Sequence, residues 1–202
     1  MAAYSIFLSY LRRFSDVTDD EFNDYFRPVL IERKFEKKQL LNGAGQVENY
    51  VNFIIKGLIR KYYVKGKEEI NTQISVEGHI IHCQESYHSR QPSEYFVEAI
   101  EPSIVLSITW DDLEAVFNKS QRMERLGRLV ITHTMVIKDR WQIQLVKLTP
   151  RERFLQFVTK HPALMQRVPQ KFLASYLNIK PETFSRFKHL IREYSKKATP
   201  SV

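Results

Sequence analysis

Residues 168–191 read VPQKFLASYLNIKPETFSRFKHLI, a pattern typical of two helices joined by a tight turn. Apolar side chains at helical spacing predict the first helix over residues 170–177. Asn178 follows at the position where a helix often ends in a left-handed residue, a conformation that Asn tolerates. Pro181 stands at the start of the second helix, where its missing N–H costs nothing. The stretch therefore predicts a helix-turn-helix.

The second of these helices has an apolar side and a polar side. Phe184, Phe187 and Ile191 are expected to face inward. The polar residues that stay outside are Glu182, Thr183, Ser185, Arg186, Lys188 and His189. Polar side chains near the N-terminus of such a helix suit contacts to base edges and phosphates in a DNA major groove.

The distribution of charge points to the same partner. Residues 147–202 contain twelve Lys and Arg and three acidic residues, a net charge of +9. The whole chain has a net charge of +8, so residues 1–146 are close to neutral at −1. A basic C-terminal module on a neutral body favours a polyanion as partner. A basic, solvated tail would have the same composition.

A long helix is predicted over residues 121–146, before the basic module. One line of its side chains recurs in steps of three and four and contains Met123, Leu126, Val130, His133 and Ile137. Leu129, Val136 and Ile143 form a second line with a spacing of seven. So wide a stripe can cover both the chain's own β-domain and a second copy of the helix, so we expect a two-fold dimer with the first line in its interface. A helix buried within its own monomer is the alternative.

Residues 29–109 have a different residue pattern, in which short runs rich in β-branched and aromatic residues alternate with turn signals. Strands are predicted at residues 29–35, 50–55, 58–64, 69–75, 94–100 and 104–109. Many short strands at even spacing favour a barrel or a sandwich. The first 26 residues are predicted to be helical, with Thr18 and Glu21 forming a capping box.

Composition excludes several classes of protein. Hydrophobic residues make up 43% of the chain, which supplies a core, and no run of about 18 apolar residues indicates a membrane span. The single cysteine, Cys83, excludes an internal disulfide framework and a four-cysteine zinc or iron–sulfur site within one chain. The N-terminus has no basic region before an apolar run, so a cytoplasmic location is expected.

The helix-turn-helix resembles that of the Crp/Fnr family of bacterial transcription regulators. Their second helix often carries the pattern Arg/Pro-Glu-Thr-x-Ser/Gly-Arg, which residues 181–186 match, and residues 57–60 and 120–127 also look like the family. The resemblance implies an α+β fold with an N-terminal β-roll (a cupin-like jelly roll with flanking helices), a long dimerisation helix and a C-terminal winged helix-turn-helix. The implied domains are residues 1–118 for a cyclic-nucleotide-binding-like sensor, 119–147 for the dimerisation helix and 148–202 for DNA binding.

The resemblance also implies which residues contact DNA. Glu182 and Arg186 match family positions that read base edges, whereas Pro181 replaces an Arg and so removes one base contact. The other candidate DNA-binding residues are Lys171, Lys180, Thr183, Ser185, Lys188, His189 and Arg192; of these, the lysines and Arg192 are expected to contact phosphates. A surface ion pair between Arg186 and Glu182, one helical turn apart, is the alternative.

The β-domain lacks the features with which the family detects two kinds of signal. Cyclic-nucleotide binders of the family resemble one another in a Gly-Glu pair followed by an Arg, but residues 77–94 contain no such pair, and Glu94 stands near the expected Arg. A carboxylate there would repel a cyclic phosphate, so we expect no binding of cyclic AMP or cyclic GMP. The N-terminal cysteine cluster of the oxygen-sensing branch is also absent, so we expect no iron–sulfur cluster and no other cofactor.

A rival interpretation rests on metal-ligand residue types at His79, His82, Cys83, Glu85 and His88. A cupin-type metal-binding protein or metalloenzyme would use the three histidines. In a strand, however, residues 79, 83 and 85 would share one face and His82 would point away. The spacing also differs from the His-x-His of metal-binding cupins, so we expect no metal.

The sequence thus predicts a homodimeric, sequence-specific DNA-binding transcription regulator and not an enzyme. Its expected partners are double-stranded DNA and a second copy of the chain, with RNA polymerase and a small-molecule effector as further candidates and no membrane. By resemblance, a signal in the β-roll would change how the long helices pair and so reorient the two recognition helices.

Overall fold

The computed structural model describes residues 2–197, with side chains described as far as Leu190. These residues form two compact units. The first runs up to residue 68 and from 72 to 135; the second contains residues 69–71 and the described residues from 136 onward. None of the helices in this part of the chain is both long enough and apolar enough to cross a membrane.

The N-terminal segment is helical but interrupted. Helix α1 (Ala2–Leu11) is followed by α2 (Asp19–Glu21), a π-helical turn (Phe22–Phe26) and a 3-10 turn (Arg27–Val29). The predicted capping box is confirmed: Thr18 Oγ1 accepts from the Glu21 amide at 3.1 Å, and Glu21 Oε2 accepts from the Thr18 amide at 2.9 Å.

The strands of the described residues form two four-stranded sheets, which together make up a β-roll. In chain order they are β1 (Ile31–Phe35), β2 (Leu40–Asn42), β3 (Tyr50–Lys56), β4 (Ile59–Lys65), β5 (Glu68–Ser75), β6 (Ile80–Ile81), β7 (Phe96–Ala99) and β8 (Ser103–Thr109). One sheet has the order β1-β8-β3-β6 and the other the order β2-β7-β4-β5. The six predicted strands are present within two residues of their expected ends, and β2 and β6 are additional.

Two apolar clusters hold this first unit together. Between the sheets, Ile54, Ile59, Ile81, Val97 and Val105 are fully buried. The second cluster joins the N-terminal helices to β3 and β8 through aromatic contacts, with the Phe7 and Phe53 ring centroids 4.9 Å apart. Burial of this much apolar surface is the main source of stability for such a domain.

Two helices follow the roll, α4 (Trp110–Lys119) and α5 (Gln121–Lys147), which confirms the predicted long helix. A Cβ at Gly127 would meet the ring of Phe117, so the glycine lets α4 and α5 pack closely. Met123 and Leu126 are 0% and 1% exposed in the core that contains Phe7. Their assignment to a dimer interface is therefore corrected, because the monomer's own core already covers them.

Two more residues of the first line, Val130 and His133, also contact the monomer. Val130 packs against the same core, and the His133 ring lies 5.2 Å from that of Phe14. The exposed apolar residues of α5 are instead Met135, Val136, Ile137, Ile143 and Val146. They include Ile137 of the first line and Val136 and Ile143 of the second line, and these side chains are left open to a partner.

The second unit is helical, with α6 (Pro150–Lys160), α7 (Leu164–Arg167), α8 (Gln170–Tyr176) and α9 (Pro181–Lys197). From residue 110 to residue 197 the structure contains no strand, so the β-hairpin that would form a wing is not among these residues. Helix α6 begins with a second capping box, formed by Thr149 and Glu152.

Candidate nucleic-acid interface

Helices α8 and α9 form the predicted helix-turn-helix around a small apolar core. Leu173, Ala174 and Phe184 are almost completely buried. Phe184 meets the ring of Phe154 in α6 edge to face, with centroids 5.1 Å apart. Leu190 is also buried, a residue that the sequence pattern did not single out, while the side chain of Ile191 lies outside the described residues.

The turn has the conformation that its residues predict. Asn178 has a φ of 51°, in the left-handed region, and Pro181 is the first residue of α9. Ile179 is buried, and its amide donates to the Ala174 carbonyl at 2.9 Å. The two helices are therefore joined by a fixed turn rather than by a loose linker.

Arg153 is a buried cation that sequence reasoning missed. Its Nε donates to the Leu177 carbonyl at 2.8 Å and its Nη2 to the Asn178 carbonyl at 3.0 Å. Its Nη1 donates to the carbonyls of Leu145 and Leu148, at 3.0 and 2.6 Å. One side chain thus ties the end of α5 and the turn of the helix-turn-helix to α6.

A second contact that sequence reasoning missed joins α5 to the helix-turn-helix. The ring of Trp141 in α5 stacks on that of Tyr176 in α8, with centroids 4.4 Å apart and planes 6° from parallel. Burial raises the pKa of Tyr176. The sequence signals for these contacts were an arginine one turn before Phe157 and a tryptophan late in the long helix, and neither identifies its partner.

The N-terminal part of α9 presents polar groups to solvent. Glu182, Ser185, Arg186 and His189 are exposed, and so are Lys171 and Lys180 on the neighbouring segments. Thr183 and Lys188 are half-buried, and the side chain of Arg192 lies outside the described residues. The arrangement places a guanidinium, a carboxylate and hydroxyl groups on one helical face, which are the groups that read base edges.

Arg186 is available for such a contact. Among the described residues no ion pair joins it to Glu182, so the surface ion-pair alternative gains no support. The ring of the neighbouring His189 contacts the backbone instead, with its Nδ1 hydrogen-bonded to the carbonyl oxygen of Arg186. The N–H donors of the Arg186 guanidinium therefore remain available to an acceptor on a bound partner.

The histidine segment of the first unit is not a strand throughout. Residues 84–89 form α3 (Gln84–Ser89), which packs the buried Tyr87 against the rings of His82 and His88. Burial raises the pKa of the Cys83 thiol, which disfavours a reactive thiolate. Within the part of the chain that the structure describes, no group of three or more His, Cys, Asp or Glu is arranged to hold a metal ion. The metal-binding alternative is therefore not supported.

Arg90 is the arginine that this segment contains, and its donors are in use. It ends α3 in the left-handed region, with a φ of 59°. Its Nη1 donates to the carbonyls of Glu48 and Tyr87, at 2.9 and 3.2 Å, and its guanidinium lies 5.0 Å from the Trp110 ring. Glu94 is exposed just before β7.

Comparison with solved structures gives matches along most of the chain. FixK2 from Bradyrhizobium japonicum is similar with a TM-score of 0.70 and 17% identity, over 83% of this chain and 86% of that chain. CLP, the c-di-GMP responsive global regulator of Xanthomonas campestris, has a TM-score of 0.67 and 12% identity, over 88% and 93%. A CooA mutant from Carboxydothermus hydrogenoformans has a TM-score of 0.63 and 16% identity, over 90% and 87%.

No family model and no curated protein sequence matches the chain. The structural matches are nonetheless regulators of one family, and they cover both compact units. At these identities they establish the architecture of the chain. The chain therefore has the α+β fold of the Crp/Fnr regulators, a β-roll followed by a C-terminal helix-turn-helix, as residues 181–186 predicted.

Proposed function

We propose that the protein is a homodimeric, sequence-specific DNA-binding regulator of transcription and not an enzyme. The observation that carries the proposal is the two-sided helix α9. Phe184 and Leu190 fix it in the core, while Glu182 and Arg186 stay exposed on its first turns. Because Arg153 holds the preceding turn, the reading groups are positioned before DNA arrives, which lowers the cost of binding.

Each side chain on this face has a distinct role in the proposal. Arg186 pairs with a guanine edge through two parallel hydrogen bonds, and Glu182 accepts from a cytosine amine. Thr183, Ser185 and His189 complete the contact to DNA. Phosphates are contacted by Lys171, Lys180, Lys188 and Arg192, which supplies affinity without sequence preference.

The exposed side of α5 supports the proposed dimer. Val136 and Ile143 are about half exposed and Val146 is 86% exposed, which is unusual for apolar side chains within one helix. Leu129, Val136 and Ile143 recur at the seven-residue spacing of a helix pair, and Val146 follows three residues later, so a second copy of α5 would cover them. The dimer places two recognition helices on one DNA face, with half-sites about one helical turn apart.

The proposal assigns one role to each of three segments of the chain. Residues 1–118 are the sensor, 119–147 the dimerisation helix and 148–202 the DNA-binding domain. The sensor takes no cyclic nucleotide, because Arg90 already donates to protein carbonyls and Glu94 has the wrong charge for a phosphate. A regulator of this kind works in the cytoplasm with RNA polymerase as a further partner.

Fluorescence anisotropy with full-length protein tests the proposal, on a duplex selected from random sequence and on a scrambled duplex. Arg186→Ala should weaken binding to the selected duplex about tenfold or more and change binding to the scrambled duplex little, since a bidentate guanine contact is worth about 1–3 kcal/mol. Lys188→Ala should weaken both about equally and lower the salt slope by about one per subunit. Arg128→Ala, which removes an exposed arginine of α5, is the charge-matched control. Equal losses from Arg186→Ala on both duplexes would remove the base-reading role.

A further inference from the structure

A cleft of about 450 Å³ lies in the first unit, outside the interior of the β-roll. The residues directly after α1 and the start of α5 form it, and its walls include Arg12, Arg13, Arg122 and Arg125. The positive charge of the guanidinium groups around this cleft attracts an anion. We infer that this cleft binds a small phosphate-bearing anion.

Two of the four arginines, Arg12 and Arg122, are held by hydrogen bonds and ion pairs within the protein. Arg12 donates from Nε to the Val17 carbonyl at 2.8 Å and pairs with Asp19 at 3.2 Å. Arg122 pairs with Glu21 at 2.6 Å, and its Nη2 donates to the carbonyl of Asp16. These contacts fasten the segment after α1 to the first turn of α5, so the cleft has a fixed frame.

The other two arginines, Arg13 and Arg125, are exposed, and neither forms an ion pair with a residue that the structure describes. The guanidinium of Arg13 lies 5.4 Å from the Tyr10 ring and 5.7 Å from the Phe14 ring. Ring contacts orient the guanidinium without using its N–H donors. Asp16 also lines the cleft, and against these two arginines it leaves an excess of positive charge.

The chemistry of the two arginines selects the ligand. A guanidinium fork matches phosphate oxygens with two parallel hydrogen bonds, and two forks suit an anion with at least two negative charges. The volume is that of a small-molecule site rather than of a single ion. Leu129, a half-buried residue of the second line of α5, also lines the cleft. If the proposed dimer is correct, an anion held here would therefore adjoin the helix pair, whereas the binding itself does not depend on that proposal.

Calorimetry on the full-length protein at low ionic strength tests the inference, with inorganic pyrophosphate as the probe. The variant R13Q/R125Q removes both unpaired charges from the cleft. The variant R27Q/R128Q is the matched control: it also removes two exposed arginines, and one of them, Arg27, also lies over a ring, that of Tyr4, at 5.6 Å. We expect one pyrophosphate site per chain, weakened about tenfold or more in R13Q/R125Q and less than about twofold in the control.

Three results of the calorimetry would overturn the inference. They are no binding of pyrophosphate by the wild type at about 5 mM, equal losses in both double variants, and tighter binding of citrate than of pyrophosphate, which would indicate a carboxylate site. DNA affinity is measured in parallel without pyrophosphate. If R13Q/R125Q weakens DNA binding as much as it weakens pyrophosphate binding, the cleft belongs to the DNA contact surface and the small-anion site is wrong. Wild-type DNA binding in the same experiment tests the proposed function separately.

Discussion

The Nη2 of Arg153 donates a hydrogen bond to the carbonyl oxygen of Asn178 at 3.0 Å. Asn178 is the left-handed residue on which the helix-turn-helix depends, and Arg153 is a buried cation in another helix. The turn is thus held by its own conformation and by a charged donor from outside it. Hydrogen bonds from a charged group are roughly twice as strong as neutral ones, so this contact contributes strongly to the geometry of the recognition helix.

Arg153→Met should destabilise the second unit by about 3 kcal/mol or more. The substitution keeps most of the apolar stem but leaves four carbonyl groups without the donor that they share, and each unsatisfied buried group costs about 1–3 kcal/mol. Urea unfolding followed by the fluorescence of Trp141, in a Trp110→Phe background, reports on this unit. Arg151→Met, an exposed arginine of the same helix, should change the unfolding free energy by less than about 0.5 kcal/mol. Equal effects of the two substitutions would contradict the role of Arg153.

Ile143→Glu should dissociate the dimer. Ile143 is 53% exposed in the monomer and belongs to the second line of α5, so a charge there would be buried without a partner in the proposed helix pair. Ile137→Glu should have a smaller effect, because residue 137 lies about 100° around the helix from Val136. Sedimentation equilibrium at micromolar concentration compares the two. An Ile143→Glu protein that stays a folded dimer would exclude this face as the interface.

Glu48 should make stability depend on pH. Burial raises the pKa of its carboxyl, although the amides of Tyr50 and Cys83 donate to it. A carboxyl with a raised pKa in the folded state favours folding most when it is protonated. Its contribution to the unfolding free energy therefore falls as the pH rises through that pKa. Urea titrations between about pH 4 and pH 7 should show that the unfolding free energy of the wild type, relative to that of Glu48→Gln, falls with rising pH. A relative unfolding free energy that increases with pH would contradict this prediction.

The helix-turn-helix was predictable because its constraints are local. A left-handed Asn, a Pro at the helix start and apolar spacing each act within a few residues, and the structure has all three. The capping box at Thr18 was predictable for the same reason. The strands β2 and β6 were missed because elements of two or three residues show no periodicity, and α3 was missed because its six residues cover fewer than two helical turns.

Contacts between residues far apart in the sequence could not be predicted. Periodicity shows that α5 has a wide apolar stripe, but not which side the monomer covers, so Met123 and Leu126 were assigned to the wrong contact. Arg153 shows the same limit for polar residues. Its acceptors are eight and five residues before it and 24 and 25 residues after it, at Leu145, Leu148, Leu177 and Asn178, and no spacing rule joins them.

Cyclic AMP should not bind to the full-length protein. Arg90 is held by the carbonyls of Glu48 and Tyr87, so a cyclic phosphate would have to break these hydrogen bonds before it gained its own. Calorimetry should give no binding heat up to about 1 mM, with a cyclic-AMP-binding protein of the same fold as positive control. A dissociation constant in the micromolar range would contradict the assignment.

Selection of bound duplexes from a random-sequence library tests the central claim most directly, because it requires the dimer and the recognition helix to act together. The wild-type protein should enrich an inverted repeat whose half-sites lie about one helical turn apart. It should bind that duplex at least about 1,000-fold more tightly than a shuffled one at physiological salt. Enrichment of no sequence, with equal affinity for selected and shuffled DNA, would contradict a sequence-specific regulator.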